Sequence, residues 1–164
     1  MNETGMSKRE ATEYVHEVSA FSGADYENFT AGYRKAEEEI INNGLLKSQP
    51  FNGTMYRGIA LDDVDYYAFI ENVEVGSTMR MKSISSWSSN IDVAVGYSAQ
   101  QDIGDRRVIF VNKKNKTASS IKHISSVPSE DEVLAPSTAK WKVTEIKSSS
   151  DSLGRYTLVE VEEI

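Results

Sequence analysis

Three groups of residues depart from what packing alone requires. In Ser129-Glu130-Asp131-Glu132-Val133-Leu134-Ala135-Pro136, three adjacent carboxylates run directly into an apolar stretch. Read as an extended strand, alternation sends Glu130 and Glu132 to one face and Asp131 to the other. Carboxylates placed side by side raise one another's pKa and serve acid–base chemistry or cation binding, although a solvated acidic turn has the same letters. Arg57 lies between Tyr56 and Gly58. An arginine there can clamp a phosphate with paired donors, and a bare glycine beside it lets a ligand or another backbone come close. A surface arginine at a strand end is the plainer alternative. The third group is Met81-Lys82-Ser83-Ile84-Ser85-Ser86-Trp87-Ser88-Ser89-Asn90. Hydroxyls ahead of a helix N-terminus suit a polar ligand, and they also gather there simply as caps.

The elements that must carry these residues change character along the chain. Ser7-Lys8-Arg9-Glu10 fits a capping box, and Ala11, Tyr14, Val15, Val18 and Phe21 follow at helical spacing until Ser22-Gly23. A second helix is expected from near Asp25, with Tyr26, Phe29, Tyr33, Ala36, Ile40 and Ile41 on one face, ending at Asn43-Gly44. Thr54 to Ile59 reads as a strand holding Arg57, Leu61 to Asn72 as a weaker helix, and Thr78 to Ile84 loosely as a strand. Asn90 can cap a short helix through Val93, Ala94 and Tyr97. Beyond it the signals are strands: Arg107 to Asn112, Thr117 to Ile121, Asp131 to Ala135, Ala139 to Lys147 and Tyr156 to Glu162, with Ser148-Ser149-Ser150 as a hairpin loop. Helices first and strands afterwards is the order of an α+β fold.

The 164 residues fit one domain, 1–164, helical over 1–48 and β-rich over 54–162. At 39% hydrophobic and 26% charged, the chain is too apolar for a disordered one. A net charge of −7 argues against a general grip on nucleic acid or an anionic membrane and favours a basic partner, with Arg106-Arg107 and Lys113 to Lys122 as a local exception. The absence of cysteine removes disulfides, thiolate metal sites and a cysteine nucleophile together. His16 and His123 stand far apart in no metal-binding spacing, so no metal is expected and a metal-dependent hydrolase on Glu130-Asp131-Glu132 is disfavoured. MNETGMSKRE has no apolar run of signal-peptide length and no stretch approaches a membrane span, so a cytoplasmic monomer is expected.

In order and spacing, Tyr56-Arg57-Gly58, a serine motif about thirty residues on and Glu130-Asp131-Glu132 entering a strand resemble the Arg-Ser-Glu class of mono-ADP-ribosyltransferases. Ser86-Trp87-Ser88, then Asp92-Val93-Ala94 and Tyr97, resembles that family's Ser-Thr-Ser strand and following helix. Ile121-Lys122-His123-Ile124-Ser125, the acidic segment and Lys140-Trp141-Lys142-Val143 resemble its catalytic loop and later strands. Trp87 stands where threonine is usual, and Ser83-Ile84-Ser85 offers a rival register; the offsets of Ala94 and Tyr97 favour Ser86. The loop Ser125-Ser126-Val127-Pro128-Ser129 lacks the aromatic residue that several members use against a protein target.

The resemblance implies two facing antiparallel sheets with NAD in the cleft between them. It implies that Arg57 binds the NAD phosphates, the Gly58 backbone grips the nicotinamide carboxamide, Ser86 steadies the glutamate and the nicotinamide ribose, and Ser88 lines the same site. Glu132 would favour the cation that develops on the sugar, and Glu130 would align an arginine of the target protein. The expected activity is transfer of ADP-ribose from NAD to that arginine, by a bacterial effector, toxin or phage protein acting in a host cell. Release of free ADP-ribose by an NAD glycohydrolase, or a non-catalytic interaction domain of a phage or bacterial assembly, are the competing readings.

Overall fold

Ser7 opens the first helix as the capping box predicts. Its hydroxyl accepts from the Glu10 N–H while the Glu10 carboxylate accepts from the Ser7 N–H, and α1 runs Lys8–Phe21. Two N–H groups that a helix start leaves unpaired are thereby satisfied. The computed structural model describes residues 5–23, 34–81, 83–99, 106–125 and 128–164. The expected start of the second helix near Asp25 lies outside the described residues, and α2 spans Lys35–Lys47. Asn43-Gly44 does not end it. A Cβ on Gly44 would sit 2.0 Å from Cδ1 of Tyr14 on α1, so this glycine admits a neighbouring ring and is not a stop signal.

The chain divides into two compact units interleaved along the sequence: Met1–Asn52 with Arg80–Ser86 and Lys116–Ala139, and Gly53–Met79 with Trp87–Asn115 and Lys140–Ile164. The helical N-terminal part is therefore not separate from the strands that follow, because α1 and α2 need an apolar surface to cover. In the first unit Tyr14, Val18, Phe21, Ile41 and Leu45 from the helices are buried in one core with Ile84, Ile121 and Leu134. The strands of this unit are the start of β3 (Ser85–Ser88), β6 (Glu132–Ala135) and β5 (Ser119–Ser120), adjacent in that order.

The second unit carries β1 (Met55–Leu61), α3 (Asp63–Asn72), β2 (Thr78–Arg80) except for its last residue, α4 (Ile91–Ser98), β4 (Arg106–Asn112), β7 (Lys140–Asp151) and β8 (Gly154–Glu163). Its strands lie in the order β2-β7-β8-β4-β1-β3. The α+β class expected from the sequence is observed. One detail differs from a purely antiparallel arrangement: β4 and β8 run parallel, Val108 opposite Thr157 through Asn112 opposite Val161. A hairpin forces antiparallel pairing, but β4 and β8 are joined through β5, β6 and β7, so their directions are not tied.

Ser148, Ser149 and Ser150 are not a loop. They pair with Thr157, Tyr156 and Arg155, and the hairpin turns between Asp151 and Gly154. The turn falls where the backbone needs it: Gly154 has φ 119°, open to glycine and costly for serine. Ala94, Ile109 and Val111 form a core with Tyr56, Val95, Tyr156 and Leu158 against them, and Trp87 packs on both Phe110 and Trp141.

Candidate active site

Glu132 is the first residue of β6 and is only 5% exposed. Ser86 Oγ on β3 donates to its Oε2 at 2.6 Å, and Ser125 Oγ donates to Oε1 at 3.3 Å. Burial pushes the Glu132 carboxyl above its ordinary value; the Ser86 hydrogen bond opposes this, the nearby charge of Glu130 adds to it, and the Ser125 bond opposes it weakly. A buried carboxylate held by a hydroxyl and shifted upward by desolvation differs from a solvated acidic turn, and such environments are common at functional sites.

The two glutamates do not reach this site by strand alternation, as the sequence led us to expect. Glu130 closes a 3-10 turn over Pro128–Glu130, Asp131 has φ 47°, and β6 begins only at Glu132. The positive φ of Asp131 interrupts extended alternation between the glutamates, so a turn rather than the pleat relates them.

Of the rival serines, Ser83 Oγ donates to the carbonyl of its own neighbour Ile84 at 3.1 Å, whereas Ser86 is on Glu132. Ser86→Ala is expected to raise the Glu132 carboxyl further and to weaken its ionised form by about 1.5–3 kcal/mol, the range for a hydrogen bond to a charged group. Ser83→Ala should leave that carboxyl unmoved. Carboxyl NMR titration of both variants separates the registers without any substrate, and equal shifts would reject Ser86.

Arg57, Gly58 and Ser88 belong to the second unit. Arg57 and Gly58 lie on β1 opposite Phe110 and Ile109 of β4, and Ser88 is the register partner of Tyr56. A Cβ on Gly58 would stand 1.8 Å from the Ala94 carbonyl oxygen and 3.0 Å from the Ser98 nitrogen, so what comes close to this glycine is the backbone of α4. Ser88 Oγ accepts from the Asn90 N–H at 3.0 Å, and Asn90 in turn accepts from the Asp92 N–H at 3.0 Å, so these two side chains shape the entry of α4.

The far end of α4 is held by a group the sequence did not reveal. Arg107, 2% exposed, donates twice to Asp151 at 2.7 Å, and also to Ser98 Oγ and the Gly154 carbonyl at 3.2 Å each. Its guanidinium holds the Asp151 carboxyl down at about 2. The basic stretch read from the sequence is dispersed into ion pairs: Arg106 with Asp63, Lys113 with Glu160, Lys114 with Glu162 and Lys122 with Asp131. Among the described residues no group of three or more His, Cys, Asp or Glu is placed to hold a metal ion, and no helix is long and apolar enough to cross a membrane.

No family model matches the chain, and comparison with curated protein sequences gives no match. Solved structures do match. The chain is similar to Vis, an ADP-ribosyltransferase toxin of Vibrio splendidus, in its complex with agmatine, at TM-score 0.74 and 22% identity over 99% of this chain and 77% of that one. It is similar to Plx2a, an ADP-ribosyltransferase toxin of Paenibacillus larvae, at TM-score 0.68 and 13% identity over 99% of this chain and 89% of that one. Exoenzyme S of Pseudomonas aeruginosa, bound to carba-NAD and in complex with a human 14-3-3 protein, matches at TM-score 0.66 and 17% identity over 92% and 73%. The fold agrees with the family resemblance read from the sequence: this chain has the fold of the ADP-ribosyltransferase toxins and effectors.

Proposed function

We propose that the chain is a mono-ADP-ribosyltransferase that takes ADP-ribose from NAD and transfers it to an arginine of a target protein inside a host cell, with release of nicotinamide. The observation that carries this reading is the buried Glu132 carboxylate bound by Ser86 Oγ at 2.6 Å, in a chain with this fold. Breaking the N-glycosidic bond sends its electron pair to the nicotinamide nitrogen and leaves positive charge on the ribose. Glu132 stabilises that charge more strongly than it does the neutral sugar, which is the differential interaction that lowers a barrier. Arg57 holds the diphosphate, the Gly58 backbone holds the carboxamide, and Ser86 with Ser88 complete the NAD-binding set. The new bond forms from a guanidine nitrogen, whose proton passes to Glu130.

Two features favour arginine as acceptor. Glu130 is a carboxylate close enough to Glu132 for its charge to be felt there, and a carboxylate suits a guanidinium. The similar Vis toxin has been crystallised with agmatine, itself an alkylguanidine.

The test is nicotinamide release from NAD with and without agmatine. Glu130→Ala is expected to lower transfer by at least about 100-fold, the loss of a general base, while hydrolysis of NAD persists. Release that ignores the acceptor in the unmodified chain would make it an NAD glycohydrolase. No release at all would leave a non-catalytic interaction domain.

A further inference from the structure

Asp131 is the one non-glycine residue with positive φ among the described residues, at 47°, and it stands between the two glutamates. L-residues avoid this region because Cβ crowds the following carbonyl; Asp and Asn tolerate it best. Around Asp131 the chain is pinned on both sides. Its N–H donates to the Pro128 carbonyl at 3.2 Å, closing the turn that ends in Glu130. Its carboxylate pairs with Lys122 Nζ at 2.6 Å. Next to that lysine, the Ile121 N–H donates to the carbonyl of Glu132 at 3.0 Å, and the Ser125 N–H returns to the Ile121 carbonyl at 2.7 Å. One short segment, 121–125, therefore braces Asp131 through Lys122, holds the Glu132 backbone through Ile121 and brings Ser125 Oγ to the Glu132 carboxylate.

An extended residue in this place would put the two glutamates on one side of a regular strand, about 6.6 Å apart along it. The left-handed residue replaces that spacing with a turn. We propose that the left-handed conformation of Asp131, braced by Lys122, positions Glu130 relative to Glu132 and thereby decides whether the ribosyl cation is captured by a guanidine or by water. The inference rests on the function proposed above. The reaction of the first step is common to both outcomes: the C–N bond to nicotinamide breaks and its electron pair leaves with nicotinamide. In transfer, a guanidine nitrogen then forms a C–N bond and its proton goes to Glu130. In hydrolysis, a water oxygen forms a C–O bond and its proton goes to solvent. Only the first needs Glu130 in one place, so the ratio of transfer to hydrolysis reads the position of Glu130. The charge of Glu130 felt at Glu132 is consistent with the closeness the turn creates.

Asp131→Val, Asp131→Asn and Asp131→Gly separate conformation from side chain, because Asn and Gly accept positive φ and a β-branched residue does not. With agmatine as acceptor, Asp131→Val is expected to lower the transfer-to-hydrolysis ratio about tenfold while total nicotinamide release stays within about threefold, whereas Asn and Gly stay within about threefold of the unmodified ratio. Lys122→Met should lower the ratio only about twofold, since the pair is partly exposed, and Lys122→Arg should restore it. A ratio unchanged in Asp131→Val, or lowered equally in Asp131→Gly, overturns the proposal; should Val prevent folding, Asp131→Ala takes its place and is judged in the same way. The backbone coupling of residue 131 in the unmodified chain, measured by NMR without substrate, gives an independent reading: an extended Asp131 overturns the proposal whatever the activity. Absence of any nicotinamide release overturns the proposed function instead, and leaves that coupling to judge the conformation.

Discussion

Glu132→Gln should reduce nicotinamide release from NAD by about 1,000-fold while making the folded protein more stable at neutral pH. The first effect follows from charge. Glutamine keeps the shape and can still meet the hydroxyls of Ser86 and Ser125, which rotate to accept from an amide as readily as they donate to a carboxylate. On the proposed mechanism, what disappears is the negative charge that strengthens its hold as the ribose becomes cationic. The second effect follows from burial. The folded-state pKa of Glu132 lies above the ordinary glutamate value, chiefly through desolvation. A carboxyl raised in this way supports folding below its unfolded pKa, and that support is lost as pH rises through the folded value. At neutral pH the ionised group is a net cost, which glutamine removes. Thermal unfolding near pH 7 should therefore favour the variant, and the difference should vanish below about pH 4, where both states of the native chain are protonated. On the proposed mechanism, in which the ionised Glu132 is the active form, the same shift moves the acid limb of activity in the unmodified protein above the ordinary glutamate range. A variant as active as the parent would reject Glu132 as the catalytic carboxylate.

Local chemistry was readable in the sequence where one stretch of chain contains both partners. The capping box at Ser7 and Glu10, the Asn90 cap and the apolar β4 each specify their own structure, and each appears within a residue or two of its expected bounds. What escaped the reading depends on residues distant in sequence or on one dihedral angle. Arg107 looked like half of a basic surface pair, and its burial depends on Asp151 and Ser98, which no periodicity links to it. Gly44 looked like a helix stop because the crossing of Tyr14 is invisible from within α2. The serines at 148–150 have the composition of a loop and the pairing of a strand. Asp131 reads as one more strand residue until its φ is known, so the acidic residues stood out in the sequence while their geometry did not. Ser86 was separated from Ser83 only by resemblance, and its bond to Glu132 now supplies a physical reason for the choice.

Gly58→Ala should lower the melting temperature by about 5–10 °C and abolish measurable NAD binding, a large result for one methyl group. The added Cβ would lie 1.8 Å from the Ala94 carbonyl oxygen and 2.7 Å from its carbon, and both atoms are backbone. No rotamer change can relieve that contact; either β1 or α4 must move. β1 is paired along its length with β4, from Met55 opposite Asn112 to Leu61 opposite Arg106. α4 is fixed at its start by Ser88 and Asn90 and at its end by Ser98, whose hydroxyl accepts from Arg107. With both partners anchored, the strain is not dispersed, and overpacking of this kind costs about 1–3 kcal/mol or more. Gly96→Ala is the control within the same helix. Nothing lies within 4 Å of the point its new methyl group would occupy, and replacing glycine inside a helix stabilises by about 0.5–1 kcal/mol, so this variant should melt slightly higher. If Gly58→Ala melts with the parent, α4 does not rest on this glycine in solution. If it melts lower but binds NAD normally, the Gly58 backbone has no part in holding the carboxamide, and its only task is to seat α4.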